Sequence, residues 1–208
     1  MIVTGTAKTG RILFAHGAGA PMDSEFMETV AQGLADGGLQ VVRFEFPYME
    51  KRREDGKKRP PDRQPKLLEV YIRMIEQWNK DDVPLFLAGK SMGGRMATML
   101  CDQPSVAACF VYGYPFYAPG KQDRPRIEHL QSLLCPVHVF QGTRDRMGDF
   151  ETVSAYGLSD ALHLNWLEDG DHDLKPRIKS GLTQDAHIRH AVECTLQICH
   201  QISRGFTG

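Results

Sequence analysis

The sequence predicts an α/β fold, with a mostly parallel central sheet and helices on both faces. Three observations lead to it. Short apolar runs recur at 11–15, 40–46, 84–88, 106–112, 137–141 and 162–167, and stretches with helical spacing fall between them. The runs are apolar almost throughout, without strict alternation, which is the pattern of strands buried on both faces. Hydrophobic residues make up 41% and charged residues 25% of the chain, the proportions of an ordinary globular protein. A length of 208 residues suits one domain and one core, without room for a large cap.

The elements follow from local signals. The run RILFA at 11–15 closes on the glycine-rich turn His16-Gly17-Ala18-Gly19-Ala20 and reads as a buried strand. A helix capped by Asp23 or Ser24 follows, with Phe26, Met27, Val30 and Leu34 at helical spacing until Gly37-Gly38 ends it. Residues 40–46 form the second strand, stopped by Pro47. Between 51 and 66 stand eight Lys or Arg against three acids, and Pro60, Pro61 and Pro65 prevent one long helix there. Helical periodicity covers 67–78, a strand 84–88 and a helix 92–101. Strands at 106–112, 137–141 and 162–167 come next, with a short helix at 151–156. A closing helix at 184–202 buries Ile188, Val192, Leu196 and Cys199.

Charge and composition narrow the function. The 25 basic and 26 acidic side chains nearly cancel, which argues against a surface built for nucleic acid or an anionic membrane. Residues 1–10 lack the apolar run of a secretory signal and no stretch approaches a membrane span, so the expected location is cytoplasmic. The five cysteines show no zinc-site spacing and read as buried thiols. No metal or cofactor is called for.

The chemistry concentrates at Gly89-Lys90-Ser91-Met92-Gly93, a G-x-S-x-G lying directly between an apolar strand and a helix. In that context the serine sits on a sharp, strained turn that points its hydroxyl outward, and the flanking glycines let strand and helix approach. Gly89-Lys90-Ser91 also ends a phosphate-loop pattern, but that pattern needs glycine at 84, where Pro84 stands, and 85–88 is strand. A serine hydroxyl needs a base and an acid that orients the base. Asp145 follows the strand at 137–141 through Gly142-Thr143-Arg144, and His172 lies in the loop after 162–167, matching the order serine, acid, histidine. Asp149 is the main rival for the acid, whereas Asp169, Asp171 and Asp173 stand too near His172 in sequence. The amides of Ala18 and Met92 fit an oxyanion hole. Residues 47–66 and 113–125 are expected to close a shallow pocket, with Tyr48, Tyr114 and Phe116 as candidate substrate-binding residues.

HGAG at 16–19, GKSMGGRMA at 89–97, GTRD at 142–145 and GDHDLKP at 170–176 together resemble the dienelactone-hydrolase-like branch of the α/β hydrolases. FPYME at 46–50 and KKRPPD at 57–62 are similar to a small cap-less group within it, the testis-expressed-protein-30-like proteins. The resemblance implies the α/β-hydrolase fold, a triad of Ser91, Asp145 and His172, and hydrolysis of an ester, thioester or similar acyl substrate. It also implies an alternative, since some relatives serve as subunits of chromatin complexes: a non-catalytic module whose basic loop at 51–66 docks a partner. The same loop, with Lys90 and Arg95, can instead attract an anionic small-molecule substrate.

Overall fold

The computed structural model describes residues 1–80 and 82–206. The chain runs β1 (Ile2–Thr4), β2 (Gly10–Ala15), α1 (Glu25–Asp36), β3 (Leu39–Phe44), α2 (Pro47–Asp55), α3 (Gln64–Trp78), β4 (Leu85–Lys90), α4 (Met92–Thr98) and β5 (Val106–Tyr112). It continues through β6 (Val137–Gly142), α5 (Phe150–Ser154), β7 (Leu162–Leu167) and α6 (Gln184–Phe206), with 3₁₀ turns at Glu128–Gln131 and Ile178–Ser180. The sheet order among the described residues is β1-β3-β2-β4-β5-β6-β7. Every neighbouring pair is parallel except β1 with β3.

Strand alternation sorts the core onto the two faces. From β2, Ile12 and Phe14 pack with Phe86, Phe110 and Phe140 against Val30 and Leu34 of α1 and Ile188 and Val192 of α6. Leu13 and Ala15 point the other way, joining Leu87, Val111 and Val139 under Leu67, Tyr71 and Met74 of α3 and Met96 of α4. The inner strands are thus apolar on both sides, as their sequence predicts, whereas the edge strand β7 leaves His163 exposed.

Two elements were not expected. The antiparallel edge strand β1 comes from three residues, Ile-Val-Thr, too few for a periodic signal. Helix α2 occupies the start of the basic segment, with Pro47 in its first turn and Gly56 closing it in the left-handed conformation at φ 70°. The prolines at 60 and 61 do break the helix, but α3 begins at Gln64, so Pro65 lies in its first turn, where a missing N–H costs nothing. Among the described residues no inserted cap domain stands over the sheet, and no helix is long and apolar enough to cross a membrane.

Candidate active site

Parallel strands end on one edge of the sheet, so the loops after β2, β4, β6 and β7 converge there. Ser91 follows β4 directly and stands at the N-cap position of α4 with φ 51° and ψ −115°, a backbone conformation that a side-chain-bearing residue adopts only under tertiary constraint. The constraint is visible in Gly93. A Cβ there would lie 2.4 Å from the Ala15 carbonyl oxygen and 2.6 Å from that of His16, so only glycine lets the turn press against the end of β2.

The three residues predicted from order alone meet. His172 Nε2 lies 2.7 Å from Ser91 Oγ, and His172 Nδ1 lies 2.7 Å from Asp145 Oδ2. Because a carboxylate only accepts, Nδ1 carries the proton and the Nε2 lone pair faces the serine hydroxyl. Asp145 is fully buried. Its Oδ1 accepts the Met147 N–H at 2.7 Å, and its Oδ2 also accepts Gln141 Nε2–H at 2.7 Å. Gln141 is in turn fixed in β6, where Oε1 accepts the Tyr114 N–H at 2.7 Å. An imidazole held this way can take the hydroxyl proton as the oxygen attacks a carbonyl.

The loops carrying Asp145 and His172 are joined backbone to backbone. Thr143 N–H donates to Leu167 O at 3.0 Å and Arg144 N–H to Gly170 O at 2.9 Å. A Cβ on Gly142 would lie 2.3 Å from Gly170 O, which explains the glycine of GTRD. Lys90 holds the histidine loop from below, Nζ donating to His172 O at 2.6 Å and pairing with Asp173 at 3.1 Å. Burial pushes the Lys90 ammonium below its ordinary pKa, against the opposing charge of Asp173.

Asp149, the rival acid, is occupied elsewhere. It caps α5 by accepting the Thr152 N–H at 2.9 Å and accepts the Tyr117 hydroxyl at 2.5 Å. Asp169 pairs with Arg144 at 3.0 Å and with Arg177, which holds its carboxyl at about 2.

Ala18 and Met92 both border the cleft at Ser91. Met92 is the first residue of α4, so its N–H has no intrahelical carbonyl to bond. The loop at 16–20 is held by groups that sequence reading missed. His16 is fully buried; its Nε2 accepts the Phe46 N–H at 3.1 Å, so Nδ1 carries the proton and donates to Gly17 O at 2.6 Å. Burial lowers the His16 pKa, keeping the imidazole neutral.

Tyr48, Tyr114 and Phe116, expected as substrate contacts, sit behind the cleft at 3%, 0% and 0% exposure. Aromatic residues at strand ends are large enough to serve the core first. The Tyr48 hydroxyl donates toward Ala18 O at 3.0 Å and so steadies the loop at 16–20, while the Tyr114 hydroxyl donates to Arg126 O at 2.8 Å. Both segments expected to close the pocket do line it, through Pro61, Asp62 and Gln64 on one side and Pro115, Ala118 and Pro119 on the other, around a volume of about 390 Å³. A second hollow of about 380 Å³ also reaches Ser91, bordered by Phe26, Lys90, His172 and Asp173.

Much of the basic segment is used within the fold. Arg53 bridges Asp23 at 2.8 Å and Glu45 at 2.6 Å, and Lys66 pairs with Asp62 at 2.8 Å. Arg59 pairs with Asp55. Arg52 donates to Gly19 O at 3.0 Å, tying α2 to the loop at 16–20. Among the described residues no cluster of His, Cys, Asp and Glu is arranged to hold a metal.

Solved structures with similar folds include an α/β serine hydrolase homologue from Coxiella burnetii, with 21% identity and a TM-score of 0.67 over 92% of this chain and 88% of that one. The esterase domain of a Rhodothermus marinus protein aligns with 16% identity and a TM-score of 0.65, covering 96% and 91%. An α/β serine hydrolase without a lid from Xanthomonas campestris aligns with 18% identity and a TM-score of 0.62, covering 92% and 86%. At such identities these likenesses speak for the fold. The sequence itself matches the α/β hydrolase domain over residues 8–200, nearly its whole length, and the protein therefore belongs to the α/β-hydrolase family.

Proposed function

We propose that this hydrolase is a serine esterase or thioesterase, with Ser91 as nucleophile, His172 as general base and acid, and Asp145 as the residue that orients and stabilises the imidazole. The observation that carries the reading is the pair of 2.7 Å contacts, Ser91 to His172 and His172 to Asp145, at a strained serine turn. His172 Nε2 takes the Ser91 proton while Oγ attacks the acyl carbon. The amides of Met92 and Ala18 receive the oxyanion, a contribution of about 3 kcal/mol per donor in related sites. Collapse expels the alcohol or thiol, which leaves with the proton from His172. Water then attacks the acyl-serine, giving its proton to His172, and Ser91 regains it as the acid departs.

The motifs at 16–19, 89–97, 142–145 and 170–176 support a finer placement in the dienelactone-hydrolase-like branch, near the testis-expressed-protein-30-like group. The experiment is a panel of short-chain esters and thioesters assayed with the purified protein. Turnover with an initial burst of alcohol or thiol, lost in Ser91→Ala, supports the reading; turnover that survives in Ser91→Ala overturns it.

A further inference from the structure

Met147 stands in the turn between β6 and α5, two residues beyond Asp145. Its backbone is fixed from both sides: the N–H donates to Asp145 Oδ1 at 2.7 Å, and the carbonyl accepts the Tyr117 N–H at 3.1 Å. The next residue leaves no slack, because a Cβ on Gly148 would lie 2.4 Å from Phe116 Cδ2. The Met147 side chain is held less closely. It is half-buried, and, unlike Met92, which packs against the core under α3 and α4, it packs against neither core cluster among the described residues. Its bulk faces the cleft instead.

Two hollows meet at Ser91. The first, of about 390 Å³, has Leu67, Met96 and Pro115 in its wall; the second, of about 380 Å³, has Phe26, Met27 and the glycine-rich loop after β2. Each by itself reaches the lower end of the range of about 300–1,000 Å³ over which small-molecule sites fall. Three residues border both, Ala18, Ser91 and Met147. Ser91 carries the attacking oxygen and Ala18 only a methyl group, so the one long side chain at the junction is Met147. His172, which must hand a proton to the leaving group, borders the second hollow and not the first. That assigns the leaving group to the second hollow and the acyl chain to the first, with the thioether between them.

Resting on the reading of Ser91 as nucleophile, we propose that Met147 is the specificity-determining residue of this site: its side chain divides the two hollows at Ser91, and the protein selects esters or thioesters whose acyl chain is unbranched beside the carbonyl. A straight chain leaves the reacting carbon in one direction and stays within the first hollow. A further substituent on the α-carbon has to enter the space that Met147 fills. The thioether is unbranched and adaptable, so it lines the path of a straight chain closely while blocking a branch. Discrimination by one methylene group in an apolar pocket is worth about 10- to 200-fold in kcat/KM, enough for a single side chain to set a substrate class.

The test compares two isomeric five-carbon acyl groups on one leaving group, p-nitrophenyl pentanoate and p-nitrophenyl 2,2-dimethylpropanoate, by kcat/KM. The unmutated protein is expected to prefer the straight chain by more than hydroxide does in solution. Met147→Ala, with Met147→Ser as a second truncation, should lower that preference by about tenfold or more. Met147→Leu, which keeps the bulk, should hold it within about threefold of the original. The inherent reactivities of the two esters cancel in the comparison between variants, and thermal melts show that each variant is folded. A preference no greater than that of hydroxide, one that survives both truncations, or one lost equally in Met147→Leu overturns the proposal while leaving Ser91 as nucleophile. An unmutated protein that fails to hydrolyse even p-nitrophenyl acetate overturns the serine reading, and the proposal with it.

Discussion

At the scale of single residues, the site depends on protons being in fixed places. Asp145 accepts from His172, Gln141 and Met147, so Asp145→Asn replaces an acceptor oxygen with an amide that can present N–H to His172 and stabilise the wrong tautomer. We expect kcat to fall by about 10³- to 10⁴-fold in ester hydrolysis with the fold retained; a loss under about tenfold would mean that Asp145 does not set the tautomer. Ser91, Asp145 and His172 were legible in the sequence because each follows an apolar run and a glycine-marked turn. His16 was not, since nothing in HGAG distinguishes a histidine that organises the turn from one that occupies it. Gln141 hides inside an apolar strand for the same reason. Tyr48, Tyr114 and Phe116 were legible as residues near the site, but sequence carries no depth, and all three went to the core.

At the scale of elements, the strand-turn-helix from β4 to α4 works by close approach. Gly93→Ala would drive a methyl group into the Ala15 and His16 carbonyls at 2.4 and 2.6 Å, neither of which is a flexible side-chain end. We expect a loss of about 2 kcal/mol or more in stability by denaturant melt, with hydrolysis falling further than stability does because the Ala18 loop is displaced. Unchanged stability and activity would show that the turn tolerates separation from β2. The inner strands were readable because burial on both faces makes them apolar throughout, whereas α2 was not. Six of its nine residues are charged and only Tyr48 and Met49 are buried, so it has no apolar stripe to reveal it. It is held by contacts outside itself, Arg53 with Glu45 eight residues before it and with Asp23 thirty residues before it above all.

At the scale of the whole molecule, the buried His16 and the half-buried His129 and His138 set the acid tolerance. Burial lowers the pKa of His16, and with secondary help from Arg95 and His163 it holds His129 and His138 at about 4. In the unfolded chain histidine titrates near 6.5, so between about pH 6.5 and 4 the unfolded state binds protons that the folded state refuses. Stability is therefore full above about 6.5 and lost as pH falls toward 4. A melting temperature at pH 5 lower than at pH 7.5 by about 4 °C or more is expected; an equal or higher value would contradict the burial of these rings as neutral groups. The central claim concerns the same molecule as a catalyst, and the most direct measurement is reaction of the folded protein with a fluorophosphonate, followed by mass spectrometry of the adduct. One equivalent bound at Ser91, lost in Ser91→Ala and strongly slowed in His172→Ala, is the predicted result. Folded protein that takes up no probe, or takes it up at another residue, would contradict it and favour a docking module.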